Sequence, residues 1–126
     1  MNNKYLGCLL GAAIGDAMGA VTEMRTRKQI EEKFGYVREF LTPPDDTFAR
    51  GCEAGTVTDD FSLAFTSIET ILSTSKIDPK TAEMALVHWG APSNFYSRFA
   101  GPTTKIAIRK LNGEIVPEPH DFKLCN

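Results

Sequence analysis

A chain of 126 residues, 42% of them apolar, is sized for one domain (1–126) with a continuous core of its own. Its formal charge of -2 comes from interspersed Lys, Arg, Asp and Glu with no basic cluster to neutralise a row of phosphates, which argues against nucleic acid as a partner. Cys8, Cys52 and Cys125 are odd in number and far apart, with no C-x-x-C pair and no His at ligand spacing, so neither a disulfide framework nor a zinc site is expected and a reducing cytoplasm fits.

The opening MNNKYLGCLLGAAIGDAMGA joins Lys4 to an apolar centre and small residues, the make-up of a short secretory signal. Asp16 cuts the apolar run well short of the about twenty residues that span a bilayer, so no membrane contact is expected. Leu6, Leu9, Leu10, Ala13, Ala17 and Val21 recur at steps of three and four, which predicts a buried helix over residues 4–18. Gly7, Gly11, Gly15 and Gly19 form a second series along one face. Each costs about 0.8–1 kcal/mol relative to Ala in helix propensity, so tight helix packing or the approach of a ligand is expected to compensate.

A second, polar helix is predicted over 26–34, where Thr26 can cap, Ile30 and Phe34 lie four apart, and Gly35 can end the helix in a left-handed conformation. From 36 to 57 the pattern breaks down around Pro43, Pro44, Asp45, Asp46, Gly51 and Gly55, a long irregular connection of the kind that is often functional or mobile. Phe61, Phe65, Ile68 and Leu72 then form one stripe of a third helix over 59–73. Asp78 and Pro79 open a fourth, carrying Ala82, Ala85, Leu86 and Trp89 inward and stopping at Gly90. After a loop over 91–100, Pro102 starts a fifth with Thr104, Ile108 and Leu111, closed by Gly113. The final EIVPEPHDFKLCN has two prolines and no sustained period and is expected to be irregular.

Thr58, Asp59 and Asp60 stand together at the start of the third helix, in GTVTDDFSLAF. Two readings are open. A Thr58 cap with two acidic residues in the first turn satisfies free amides and the helix dipole, an effect of about 0.3–1 kcal/mol for the charges. Alternatively, three neighbouring oxygen-bearing side chains converge on a hard cation, magnesium or calcium, with water and other carboxylates completing the shell. The pair Asp45 and Asp46, in a turn-like stretch with no apolar period behind it, reads as a solvated turn. Asp16 and Glu23 flank Gly15 and Gly19 where the first helix runs out, Glu23 being a loop carboxylate. In FAGPTTKIAIRKL, Gly101 and Thr103 expose backbone amides at a helix start, a geometry suited to phosphate. His88 and His120 have no Ser or Cys at suggestive spacing, which leaves a nucleophilic triad without support and makes His88 a packed helix residue.

Taken together, GCLLGAAIGDAMGAVTE (7–23), GTVTDDFSLAF (55–65) and YSRFAGPTTKIAIRKL (96–111) resemble the ADP-ribosylglycohydrolase family in order, spacing and wording. The resemblance implies an all-α helical bundle with a binuclear magnesium centre beside the ribose of an ADP-ribosylated substrate. It implies that Thr58, Asp59 and Asp60 are metal ligands, and that Glu23, with Asp60, serves the chemistry at the scissile bond. Gly101, Pro102 and Thr103 would lie near the diphosphate of ADP-ribose.

Two departures from the family's pattern follow. Phe61 stands where relatives often carry Thr, and no Asp-x-Asp-Thr motif occurs after Gly113, whereas the family carries a second aspartate-rich metal motif near its C-terminus. The chain thus resembles the N-terminal half of the fold, with half of the metal shell and the helices covering the glycine face and the third helix's stripe missing. Self-association or a separate C-terminal half is the expected partner. The expectation is a magnesium-dependent hydrolase of ADP-ribosyl glycosidic bonds with weak or no turnover by this chain alone. The alternative is a non-catalytic helical fragment or interaction module that binds ADP-ribose or metal.

Overall fold

A computed structural model describes residues 3–116. The described residues form an all-α structure of five α-helices: α1 (Asn3–Thr22), α2 (Arg27–Phe34), α3 (Asp59–Thr74), α4 (Pro79–Trp89) and α5 (Pro102–Leu111), with a 3₁₀ helix at Phe95–Phe99. His120, Cys125 and most of the irregular C-terminal stretch lie outside the described residues.

Local chemistry sets most of the helix ends. Thr26 accepts from the Gln29 amide while the Gln29 side chain accepts from the Thr26 amide, a closed capping box at the start of α2, and Gly35 follows with φ +66. Asp78 accepts from Thr81 N–H at 2.8 Å with Pro79 at the first helical position, which starts α4. The 3₁₀ helix, in a stretch expected to be a loop, is nucleated by Asn94, whose side chain accepts from Tyr96 N–H and donates to the Trp89 carbonyl. An Asx side chain bonding its own neighbours competes with an open loop in this way.

Packing centres on the hairpin of α3 and α4, with α1 and the 3₁₀ helix against α3 and α5 against α4. The core at this junction is Trp89, Ala100 and Ile108, lined by Leu63, Leu86 and Tyr96. Trp89 is fully buried and donates its indole N–H to Ser62 Oγ at 2.9 Å; Ser62 Oγ in turn donates to the Thr58 carbonyl at 2.6 Å. No buried side-chain polar atom among the described residues lacks a partner. Gly90 closes α4 because nothing larger fits: a Cβ there would sit 2.6–2.9 Å from the side chain of Ile108.

Several positions depart from their periodicity. α1 runs past Met18 to Thr22, since Ala17, Ala20 and Val21 are buried and hold the helix together through Gly19. Its N-terminal part is not buried: Tyr5, Leu6, Leu10 and Ile14 are exposed, and Cβ atoms placed at Gly7, Gly11, Gly15 and Gly19 would meet nothing within 4 Å. The packing expected against those glycines is therefore absent among the described residues. By length and composition α1 is apolar enough to cross a membrane; near its end Ala17, Ala20 and Val21 are buried in the protein. On α3, Phe65, Ile68 and Leu72 are exposed, so the stripe lies open. On α4 the inward position is Thr81 rather than Ala82, and His88 is exposed rather than packed, because the helix turns its Thr81, Ala85 and Trp89 side to α3.

The glycines make opposite demands. Gly90→Ala is expected to destabilise the chain by about 1–3 kcal/mol through overpacking of Ile108. Gly11→Ala is expected to stabilise it by about 0.5–1 kcal/mol, because helix propensity is gained with no clash. Urea denaturation of both variants, with mid-points compared at constant m, checks the pair of signs.

Candidate functional site

The site is assembled by one carboxylate. Asp16, on α1, accepts from the Thr58 backbone N–H at 2.8 Å and the Phe61 N–H at 3.0 Å through Oδ2, and from the Thr58 hydroxyl at 2.6 Å through Oδ1. Thr58 is the N-cap residue of α3, but its own side chain makes no capping bond. The capping oxygen expected from Thr58 is supplied instead by a residue 42 positions upstream. The helix end thereby gains the negative charge that its dipole favours, and Thr58 is left buried with its hydroxyl turned into a donor.

This docking sets α1 beside the first turn of α3 and brings Glu23, Thr58, Asp59 and Asp60 onto the wall of a single cavity of about 510 Å³, together with Gly15, Asp16, Gly19 and Phe61. An adjoining cavity of about 380 Å³ shares Glu23, Thr58 and Asp59 and continues to Gly101 and Pro102 at the start of α5. The three blocks singled out in the sequence thus meet in one groove. Thr103 is exposed and is not part of that wall. Gly101 offers no side chain to the first-turn amides of α5, so that helix end faces the groove uncapped.

The groove also holds residues that motif reading passed over. Phe48, 63% exposed on the 36–57 connection, lines the second cavity together with Arg98, Phe99 and Lys105. Arg98 lies 5.4 Å from both the Phe95 and Phe99 ring centroids and donates to the Arg50 carbonyl at 3.3 Å. Arg98 and Lys105 stood inside the recognised 96–111 block, where a basic residue beside a helix start was the available signal; Phe48 carried none.

Electrostatically the acidic wall is under stress. Burial, then repulsion from Asp59, Asp60 and Asp16, raises the proton affinity of Glu23 above the usual carboxylate range. Asp59 is raised as well, by burial first and by repulsion from Asp60 and Asp16 next, with partial relief from the free amide at its own position on the helix start. Asp46 goes the other way: Lys33 and Arg25 bond it and hold it low, so the turn at Asp45 and Asp46 is an ion-pair node rather than simply solvated.

Hard oxygen donors carrying uncompensated negative charge suit a hard divalent cation in kind. In number they fall short. Among the described residues no group of three or more His, Cys, Asp or Glu is placed to hold a metal by itself, and a magnesium shell needs about six oxygens.

Comparison with known proteins gives the arrangement its relatives. The family described as ADP-ribosylglycohydrolase matches residues 1–123. An uncharacterised protein of Archaeoglobus fulgidus is 35% identical over 111 residues, 88% of this chain and 34% of its own length. The uncharacterised protein YegU of Escherichia coli is 32% identical over 98% of this chain and 38% of its own. ADP-ribosylhydrolase ARH3 of Bos taurus is 29% identical over 60% of this chain and 21% of its own. The chain thus spans between a fifth and two fifths of the length of these relatives. No solved structure matches the chain significantly.

Two expectations follow from the site. Asp16→Ala should cost about 1–3 kcal/mol, since it strips the amides of Thr58 and Phe61 of their partner, whereas Asp60→Ala, at an exposed position, should stay within about 0.5 kcal/mol. The second concerns pH. Glu23 and Asp59 hold protons more tightly folded than unfolded, so between the ordinary carboxylate values and their raised ones the native state binds more protons. Their contribution to stability therefore rises as pH falls from neutral through that window. Thermal melts from pH 7 to 4.5 should show that gain in the wild type and a smaller one in Asp59→Asn.

Proposed function

The chain belongs to the ADP-ribosylglycohydrolase family, and from that premise we propose that it is part of a hydrolase that cleaves the glycosidic bond of an ADP-ribosyl group with the help of a divalent cation. The observation that carries this reading is the convergence of Glu23, Thr58, Asp59 and Asp60 on one cavity that runs on to the open start of α5.

Thr58, Asp59 and Asp60 would hold magnesium, with water and further carboxylates making up the shell. When bound, the cation supplies orientation of sugar hydroxyls and polarisation of a water molecule. Glu23 has the raised proton affinity of a general acid: it keeps a proton to higher pH than an ordinary carboxylate and delivers it to the leaving group as the anomeric carbon becomes oxocarbenium-like. Asp60, beside it, stays exposed to the groove and would draw a proton from the attacking water. Across the groove, the uncapped start of α5 and the cations Arg98 and Lys105 suit a diphosphate, while Phe48 and Phe99 offer apolar ring surface to the rest of a nucleotide.

The acidic wall alone leaves the cation under-ligated, so weak or absent turnover by the 126-residue chain is part of the proposal. A second reading, a non-catalytic helical module, is favoured by the open apolar sides of α1 and α3. Calorimetric titration of the chain with ADP-ribose, with and without magnesium chloride, separates the two. Magnesium-dependent binding that disappears in the double variant Asp59→Ala with Asp60→Ala is the expected result. No binding by either protein, with the double variant merely less stable by about 0.5–2 kcal/mol, would return the Thr-Asp-Asp triplet to the status of a helix-end feature.

A further inference from the structure

Glu23 lies at a junction. It lines not only the two cavities of the groove but also two neighbouring recesses, one formed with Arg25, Gln29, Lys33 and Asp46 and one formed with Thr47, Phe48 and Arg50. Glu23 itself follows the end of α1 in a turn and is exposed. What fixes it is visible in the backbone and in one side chain.

Immediately after Glu23, Met24 adopts φ +61, one of two non-glycine residues with positive φ among the described residues. A left-handed non-glycine residue is strained and persists where its surroundings over-determine it. The surroundings here are Arg25. Its side chain is only 9% exposed, and its Nη1 donates to the Val21 carbonyl at 3.1 Å and to the Glu23 carbonyl at 3.2 Å. Its Nη2 donates to Asp46 Oδ1 at 2.6 Å, and Phe34 lies beneath the guanidinium at 5.5 Å. Asp46 is also gripped by Lys33, at 3.1 Å to each carboxylate oxygen. One planar cation therefore binds the last turn of α1, the residue that bears the groove carboxylate, and the connection that carries Phe48.

We propose that Arg25 is the positioning residue of Glu23: it locks the left-handed turn that aims Glu23 into the groove and ties that turn, through Asp46, to the 36–57 connection that brings Phe48 to the same groove. The inference rests on the hydrolase reading for the purpose of Glu23, but not for the lock itself. Lysine cannot replace arginine in it, because a single ammonium can neutralise Asp46 but lacks the fork that reaches two carbonyls and a carboxylate together.

Amide hydrogen exchange on the ligand-free chain tests this. The Glu23 amide, bonded to the Gly19 carbonyl, reports the turn; the amides of Thr47 and Arg50, bonded to the carbonyls of Pro44 and Thr47, report the connection; Gly90, bonded to Leu86, reports the core. In Arg25→Lys the Glu23 amide should exchange roughly tenfold faster while Thr47, Arg50 and Gly90 hold. In Arg25→Gln the Glu23, Thr47 and Arg50 amides should all accelerate with Gly90 unchanged. Asp46→Asn, which leaves Arg25 in place and is the safer variant to fold, should release Thr47 and Arg50. An unchanged Glu23 amide in Arg25→Lys, acceleration spread evenly to Gly90, or undisturbed Thr47 and Arg50 in Asp46→Asn would overturn the proposal. Because no ligand enters the measurement, these outcomes are independent of whether ADP-ribose binds in the calorimetric titration.

Discussion

The structure hangs on a carboxylate that serves a helix other than its own. Asp16 satisfies two first-turn amides of α3 and takes the Thr58 hydroxyl, and a half-buried carboxylate holding three donors is a stronger fastening than the sparse apolar contact between the two helices. From Thr58 the linkage continues through Ser62 to Trp89, so a file of polar groups runs from the groove into the tightest part of the core. Ser62, in the middle, both gives and takes, which is how its buried hydroxyl escapes the penalty of desolvation.

The same fastening crowds negative charge. Bringing Asp16 to α3 sets it near Asp59, Asp60 and Glu23, and burial, with that repulsion added to it, raises the proton affinity of Glu23 and Asp59. A fold selected for stability alone has little reason to gather them, since two acidic residues on a helix start already satisfied by Asp16 add repulsion rather than a cap. Such local conflict is common where a chain is organised around a ligand. Arg25 and Lys33 answer Asp46 instead.

Much of this was legible in the chain because it is written locally. Thr26 with Gln29, Asp78 with Pro79, and Pro102 after Gly101 mark helix starts within three or four residues, and the helices begin there. Periodicity found all five helices but misjudged faces, since a stripe of apolar residues is buried only where a partner exists: Leu6 and Leu10 obey the pattern and remain exposed. The capping of α3 could not be read from GTVTDDFSLAF, because its acceptor lies 42 residues away. Phe48 was equally hidden, a lone aromatic in an irregular connection whose place on the groove depends on how Arg25 and Asp46 fold that connection back.

Trp89 is the chain's single tryptophan. Its indole N–H ends the polar file that starts at Asp16, two hydrogen bonds from the groove wall. An indole with no solvent contact and one fixed acceptor emits according to the electric field that its fixed surroundings set across the ring. The protein therefore carries its own optical gauge of charge at the tip of α3, and a cation settling among those carboxylates would register as a change in the colour or intensity of its intrinsic ultraviolet emission, with no label attached.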